Sequence, residues 1–387
     1  MKGMKIVIAG GSGFIGTALI EYFAKENDVV VLTRNLKKSK NNMGNKSIEI
    51  NADDLRVKYV TWDAFHIGEW AKELSDADIL INLTGRSVNC RYNYKNMKEI
   101  FDSRIRATRV LGEAIQSLQK PPRLWINIAS ATIYRNALDY PQDEYNGQIS
   151  DLKSMNMPAT TLQDLQAFFH KYLGWAIPSL FVRNRKKEPR DFSVRVCKKW
   201  EEAFNEITVP DTRKICIRLA ITLGKYGVIV PYLNLIRWSL GGRQGNGKQM
   251  YSWVHVKDFC RAIEWFQQHK ELNGTFNCSS PNPVTNKEFM STLKKASGYI
   301  IGVPAFKWML EMGAPVIGTE TELILKSRWV LPVKLLESGF RFQYPLLPGA
   351  IDEILKSRKK KFAHKASHLH QTNVKSEGLY PRVKAVQ

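Results

Sequence analysis

The chain lacks the cysteine pattern of a cross-linked or zinc-bound protein. Its five cysteines, Cys90, Cys197, Cys216, Cys260 and Cys278, are odd in number, scattered, and nowhere spaced as Cys-x-x-Cys. That argues against a disulfide framework or a structural zinc site and points to a reducing cytoplasm. No apolar run approaches the length of a membrane span, and the apolar stretch at the N-terminus has the length of a strand, not of a signal peptide. Acidic residues are scarce: 36 Asp and Glu stand against 58 Lys and Arg, a net charge of +22. Residues 34–58 and 151–190 carry +4 each and residues 356–387 carry +8. The excess therefore belongs to two internal segments and a tail, and the rest is only mildly basic. No aromatic residues are interleaved there as a base-stacking platform. Specific nucleic-acid binding is not expected, whereas weak contact with polyanions or an anionic membrane surface is.

What the chain does have begins at Met4. Met-Lys-Ile-Val-Ile-Ala-Gly-Gly-Ser-Gly-Phe-Ile-Gly (4–16) runs from an apolar strand straight into Gly10, Gly13 and Gly16. Gly10 permits the tight turn, Gly13 lets the backbone approach a pyrophosphate, and Gly16 lets the following helix (Thr17 to Lys25) pack near the strand. Ser12, Phe14 and Ile15 lie in the same turn, so all six residues are candidates for binding a dinucleotide. A second buried strand (Asp28 to Arg34) ends in Arg34 and Asn35, where an NAD-selective site usually places an acid. A guanidinium there suits a 2′-phosphate, so NADP is expected in preference to NAD. Read alone, Arg34 is also compatible with a solvated cation at a strand end.

The alternation of strands and helices continues. A third strand (Val57 to Val60) leads to Asp63, whose carboxylate could accept from an adenine amino group. A fourth (Asp78 to Leu83) delivers Leu83, Thr84, Gly85 and Arg86, again where a cofactor would pass. After a long helix (Lys95 to Gln119), a fifth strand (Arg123 to Ala129) delivers Ser130, with Thr132 and Tyr134 close behind. Ligands in such sheets sit beyond the carboxyl ends of the strands, where all of these residues fall. The expected fold is α/β, a Rossmann-like doubly wound parallel sheet. Residues 1–230 form the NADP-binding domain, 231–355 a smaller C-terminal substrate-side region, and 356–387 a disordered basic tail. Residues 151–190 form an insertion, with a capping box at Thr160 and Gln163 and apolar residues at helical spacing up to Pro178.

Two patterns are set aside. Gly242 to Lys248 has phosphate-loop spacing, but Gln249 stands where Ser or Thr would hold magnesium. His364, His368 and His370 sit in a polar tail too poor in apolar residues to hold a rigid metal site, so no metal is expected.

Four motifs in order, Gly10 to Gly16, Asn82-Leu-Thr-Gly85, Ser130-Ala-Thr-Ile-Tyr134 and Trp253-Val-His-Val-Lys-Asp258, resemble the extended short-chain dehydrogenase/reductase superfamily, the NAD-dependent epimerase/dehydratase group. Ser103-Arg104, Cys197-Lys-Lys-Trp-Glu201, Gly247-Lys-Gln249 and Ser280-Pro-Asn-Pro-Val284 make it similar to the atypical "epimerase family protein" subgroup, which has its own small C-terminal domain. The resemblance spans about residues 4 to 355. It implies a phenol and a lysine on the helix after the fifth strand, but Phe192 and Val196 occupy those positions, and neither moves a proton. Tyr94 to Lys98 and Tyr380 to Lys384 have the right spacing in the wrong places. Ser130 and Tyr134 are left as catalytic candidates, and Arg104, Thr132, Gln249 and His255 as substrate-side candidates. Each also has a structural reading: Ser130 as a turn cap, Tyr134 packed under a loop, Arg104 in a surface ion pair, His255 as a satisfied core histidine. The expected function is that of an NADP-dependent oxidoreductase or epimerase-like enzyme acting on a small molecule. A non-catalytic NADP-binding sensor is the alternative, and nucleic-acid binding through the basic segments is a third class.

Overall fold

The computed structural model describes residues 1–36, 56–150, 192–306, 309 and 322–359. In chain order, the first half contains β1 (Lys5–Ala9), α1 (Phe14–Phe23), β2 (Asp28–Thr33), β3 (Val57–Thr61), β4 (Ile79–Asn82), α2 (Tyr94–Gln116) and β5 (Leu124–Ser130). Then come α3 (Phe192–Asn205), β6 (Arg213–Leu219), β7 (Ile221–Leu223), α4 (Ile229–Arg237), β8 (Met250–Tyr251) and β9 (Trp253–His255). They are followed by α5 (Val256–Gln268), β10 (Gly274–Cys278), β11 (Val284–Thr285) and α6 (Asn286–Ala296). Seven strands form one sheet in the order β10-β6-β5-β4-β1-β2-β3, and every pairing in it is parallel. This is the doubly wound, Rossmann-like sheet expected from the sequence. Its order reverses between β1 and β4, and there the carboxyl ends of the strands open a crevice.

The sheet follows from the apolar strands. Ile6 to Ala9 and Val29 to Leu32 are all buried, as strands covered by helices on both faces require. Leu19, Phe23, Phe259, Ile263 and Phe266, from α1 and α5, cover one face. Ala107, Val110, Leu111 and Phe204, from α2 and α3, cover the other. A second core gathers Leu223, Ile229, Trp253, Phe289, Leu347 and Ile351 around α4 and α6.

Some boundaries differ from expectation. Helix α1 begins at Phe14, because the glycine turn is finished by Gly13. A division at residue 230 cuts through the first layer, since α5 packs on α1 and β10 forms the edge of the main sheet. The disorder expected from residue 356 does not hold for residues 356–359: residues 347–359 are helical, and Arg358 Nη1 donates to the Lys225 carbonyl. The stretch at 151–191, including the helical spacing read there, lies outside the described residues, as does the tail from 360. Among the described residues no helix is long and apolar enough to cross a membrane.

Candidate functional site

The turn after β1 is shaped by close backbone contact. Gly10 has φ +81°, and a Cβ there would lie 3.0 Å from Thr84 Cα, so only glycine fits without strain. A Cβ on Gly16 would overlap the carbonyl of Gly11, which presses the first turn of α1 onto the loop. Gly13 is the N-cap of α1; no side chain caps it, and the first turn holds no acid. Its free N–H groups and the positive end of the helix dipole therefore face the crevice. An uncapped helix start with backbone this close fits a diphosphate.

Two cavities flank that turn. One, of about 440 Å³, runs from Gly10 and Ser12 past Arg34 and Asn35 to Trp62, Ala64 and Phe65. The other, of about 500 Å³, runs from Gly13 and Phe14 to Ser130, Thr132, Phe192 and Val196. Gly10, Leu83, Thr84 and Gly85 line both, so the two form one crevice across the switch between β1 and β4. A buried amide network fixes its midpoint. Asn82 Nδ2 donates to Asn127 Oδ1 (2.7 Å) and to Thr108 Oγ1 (3.0 Å), and Trp200 Nε1 donates to the same Thr108 oxygen (3.0 Å). Asn82 Oδ1 accepts from the Thr84 N–H at 3.1 Å and the Thr84 hydroxyl at 2.6 Å. With most of its polar atoms paired, the network holds the Thr84-Gly85 turn rigid.

Of the residues singled out in the sequence, Gly10, Ser12, Gly13, Phe14, Ile15, Gly16, Arg34, Asn35, Leu83, Thr84, Gly85, Arg104, Ser130 and Thr132 line this crevice. Five others line neither cavity. Asp63 turns back on its own loop, accepting from the N–H groups of Phe65 and His66; these bonds hold its carboxyl down at about 2. Arg86 pairs with Glu99 and donates to Asn96 Oδ1 at 2.8 Å. Gln249 is buried and donates to the Gln244 carbonyl at 2.9 Å. His255 caps α5: its Nδ1 accepts from the Lys257 N–H, which leaves Nε2–H to donate to Glu353 at 3.0 Å. Tyr134 is buried under the loop that follows it. Its hydroxyl lies 2.9 Å from the Asp143 carbonyl and 3.1 Å from Asn277 Oδ1, and accepts from Arg218 at 2.8 Å. Burial pushes its pKa up against the pull of Arg218.

Ser130 caps a turn and faces the crevice. Its Oγ caps the short turn Ala131–Ile133 by accepting the Thr132 N–H at 3.2 Å, and it also lines the larger cavity. Reading the sequence missed Tyr92 and Trp200, which line the same cavity. Tyr92 sets its ring edge-on to Phe192, 5.1 Å between centroids, and its hydroxyl lies 3.4 Å from Ser193 Oγ. Trp200 was detectable: Phe192, Val196, Cys197 and Trp200 recur at helical spacing and share one face of α3. Tyr92 was not, because it precedes α2 and reaches the cavity only through the fold. Burial pushes the Cys197 thiol up to about 11, against the pull of Arg104, Lys326 and Arg328.

Comparison with known proteins agrees with this fold. Residues 6–156 match the family described as NAD dependent epimerase/dehydratase, and residues 305–354 match a domain of unknown function, DUF1731. The chain is 25% identical over 360 residues to the epimerase family protein YfhF of Bacillus subtilis, covering 92% of this chain and 99% of that one. It is likewise 25% identical over 360 residues to the human epimerase family protein SDR39U1, covering 91% and 100%. A crystal structure of the human protein with NADPH superposes with a TM-score of 0.69 at 24% identity, covering 91% of this chain and 99% of that one. A UDP-N-acetylglucosamine 4-epimerase from Methanobrevibacter ruminantium shares the fold at a TM-score of 0.62 and 15% identity, covering 92% and 98%.

Proposed function

We propose that this chain, whose residues 6–156 match the NAD dependent epimerase/dehydratase family, binds NADP(H) along the crevice and oxidises or reduces a small molecule at Ser130. The observation that carries this reading is the uncapped start of α1 at the junction of two cavities, with Arg34 at one end and Ser130 at the other. Arg34 and Asn35 would meet the adenosine phosphate. The human relative was crystallised with NADPH, and a neighbour with NAD, WbmG of Bordetella bronchiseptica, shares the fold; the preference for the phosphorylated form therefore rests on Arg34. When bound, the coenzyme supplies the hydride donor or acceptor. Ser130 does the protein's polar work at the far end. Because its Oγ accepts from Thr132, its own proton remains available for a substrate oxygen. Phe192 and Val196 keep the wall apolar and exclude water.

Those same two residues favour a second reading, in which the chain binds NADPH and senses it without turnover. Calorimetric titration with NADPH and NADH tests the first claim: NADPH binds more tightly, and equal affinities overturn the assignment. NADPH oxidation with a panel of carbonyl compounds, compared with Ser130→Ala, separates enzyme from sensor. Tight binding without turnover under any condition establishes the sensor.

A further inference from the structure

Among the described residues Arg104 is a cation with no counter-charge. It projects from α2, is half-buried, and lines the larger cavity, with its guanidinium against Gly85, where a Cβ would lie 2.9 Å from Arg104 Cζ. Its contacts are a hydrogen bond from Nη1 to the Ile100 carbonyl at 2.9 Å and the ring of Trp200, 5.2 Å from Cζ. Among the described residues no carboxylate reaches it, and Glu99, Asp102, Glu201 and Glu202 on the two helices around it are engaged elsewhere. On α2, Glu99 holds Arg86, and Asp102 holds Lys98 and Arg106. On α3, Glu201 holds Arg218 and Glu202 holds Lys199. Burial pulls the guanidinium pKa down, and no carboxylate among the described residues offsets that cost.

Lys326 donates to the Thr132 carbonyl at 3.0 Å and Arg328 Nε to the Thr132 hydroxyl at 3.2 Å, which brings two more cations from the C-terminal segment to the turn that follows Ser130. Elsewhere the walls are mostly apolar, with Ile100, Ile128, Val196 and Leu219 among them. A low-dielectric pocket with an unpaired guanidinium at one side is built to take an oxyanion.

We propose that Arg104 anchors the charged group of the substrate: a small molecule bearing a carboxylate or a phosphate, with its anion on Arg104 and its reacting carbon toward Ser130. This rests on the dinucleotide reading, because the coenzyme would fill the rest of the cavity. It also explains why a costly unpaired cation sits beside Gly85 instead of an apolar residue.

The test uses the full chain with and without NADPH, with melting temperature followed against acetate, oxamate and methyl phosphate at fixed ionic strength. At least one of these anions should stabilise the wild type saturably. Arg104→Met should weaken that anion tenfold or more, Arg104→Lys less, and both should keep NADPH affinity within threefold. In the absence of any ligand, Arg104→Met should melt higher than the wild type, since it removes the unpaired charge. No saturable anion effect, or an equal effect in Arg104→Met, overturns the proposal. A tenfold loss of NADPH affinity in Arg104→Met also overturns it, since the arginine would then serve the coenzyme. If the wild type fails to bind NADPH, the dinucleotide reading fails separately, and the same anion series on the free protein still decides the role of Arg104.

Discussion

Arg218 donates to the Tyr134 hydroxyl at 2.8 Å while its other nitrogens grip both oxygens of Glu201, at 2.9 and 2.7 Å. All three side chains are largely buried, and the cluster ties the edge of β6 to α3 and to the turn after β5. A tyrosine that sequence order places near a substrate is thereby a structural strut. Tyr134→Phe should cost about 1–2 kcal/mol in urea unfolding, the penalty for an unpaired buried partner. Arg218→Leu should cost about 3 kcal/mol or more, because it strands the Glu201 carboxylate. Both variants should keep NADPH affinity within twofold by fluorescence titration.

Gly13 and Gly16 should respond differently to the same substitution. Gly13 has ordinary extended backbone, and nothing lies within 4 Å of a Cβ placed there, so Gly13→Ala should fold with unchanged stability. Its methyl group would stand where a diphosphate approaches, and NADPH affinity should fall tenfold or more. Gly16→Ala collides with the backbone of Gly11 and should lose about 1–3 kcal/mol of stability, the usual cost of overpacking. Thermal unfolding beside NADPH titration separates the two.

Arg34→Ala should lower NADPH affinity roughly tenfold to a hundredfold, the worth of charge-assisted hydrogen bonds to a phosphate, and leave NADH affinity unchanged. Calorimetry with both coenzymes at two salt concentrations checks it. The gap between them should narrow as salt rises.

Glu353 links acid stability to the second core. Burial alone would raise its carboxyl pKa, but hydrogen bonds from His255, Lys257 and Ser357 outweigh it and bring the value to about 2. A depressed carboxylate contributes stability that is complete above its unfolded pKa and is lost as pH falls toward the folded value. Unfolding free energy should therefore drop between roughly pH 5 and pH 2. For this partly exposed group the drop is on the order of 1–2 kcal/mol after solvent screening. Glu353→Gln should flatten the profile in that window, measured by urea unfolding at stepped pH.

The sequence by itself determined the strands, the glycine turn and the coenzyme half of the crevice. Unbroken apolar runs, a glycine at positive φ and the strand-end position of Arg34 are each set by a few neighbouring residues and the parallel sheet they require. It also located Ser130, Thr132 and Arg104, because strand ends and helix faces follow from local periodicity. Only the tertiary structure decided what those residues meet. Tyr134 found Arg218 and Asn277, which lie 84 and 143 positions away; His255 found Glu353, 98 positions on; and Tyr92 crossed to Phe192. Such pairings depend on the order of strands in the sheet and on how the second core docks against it. No local signal carries either, because partners distant in the chain become neighbours only after the sheet is assembled.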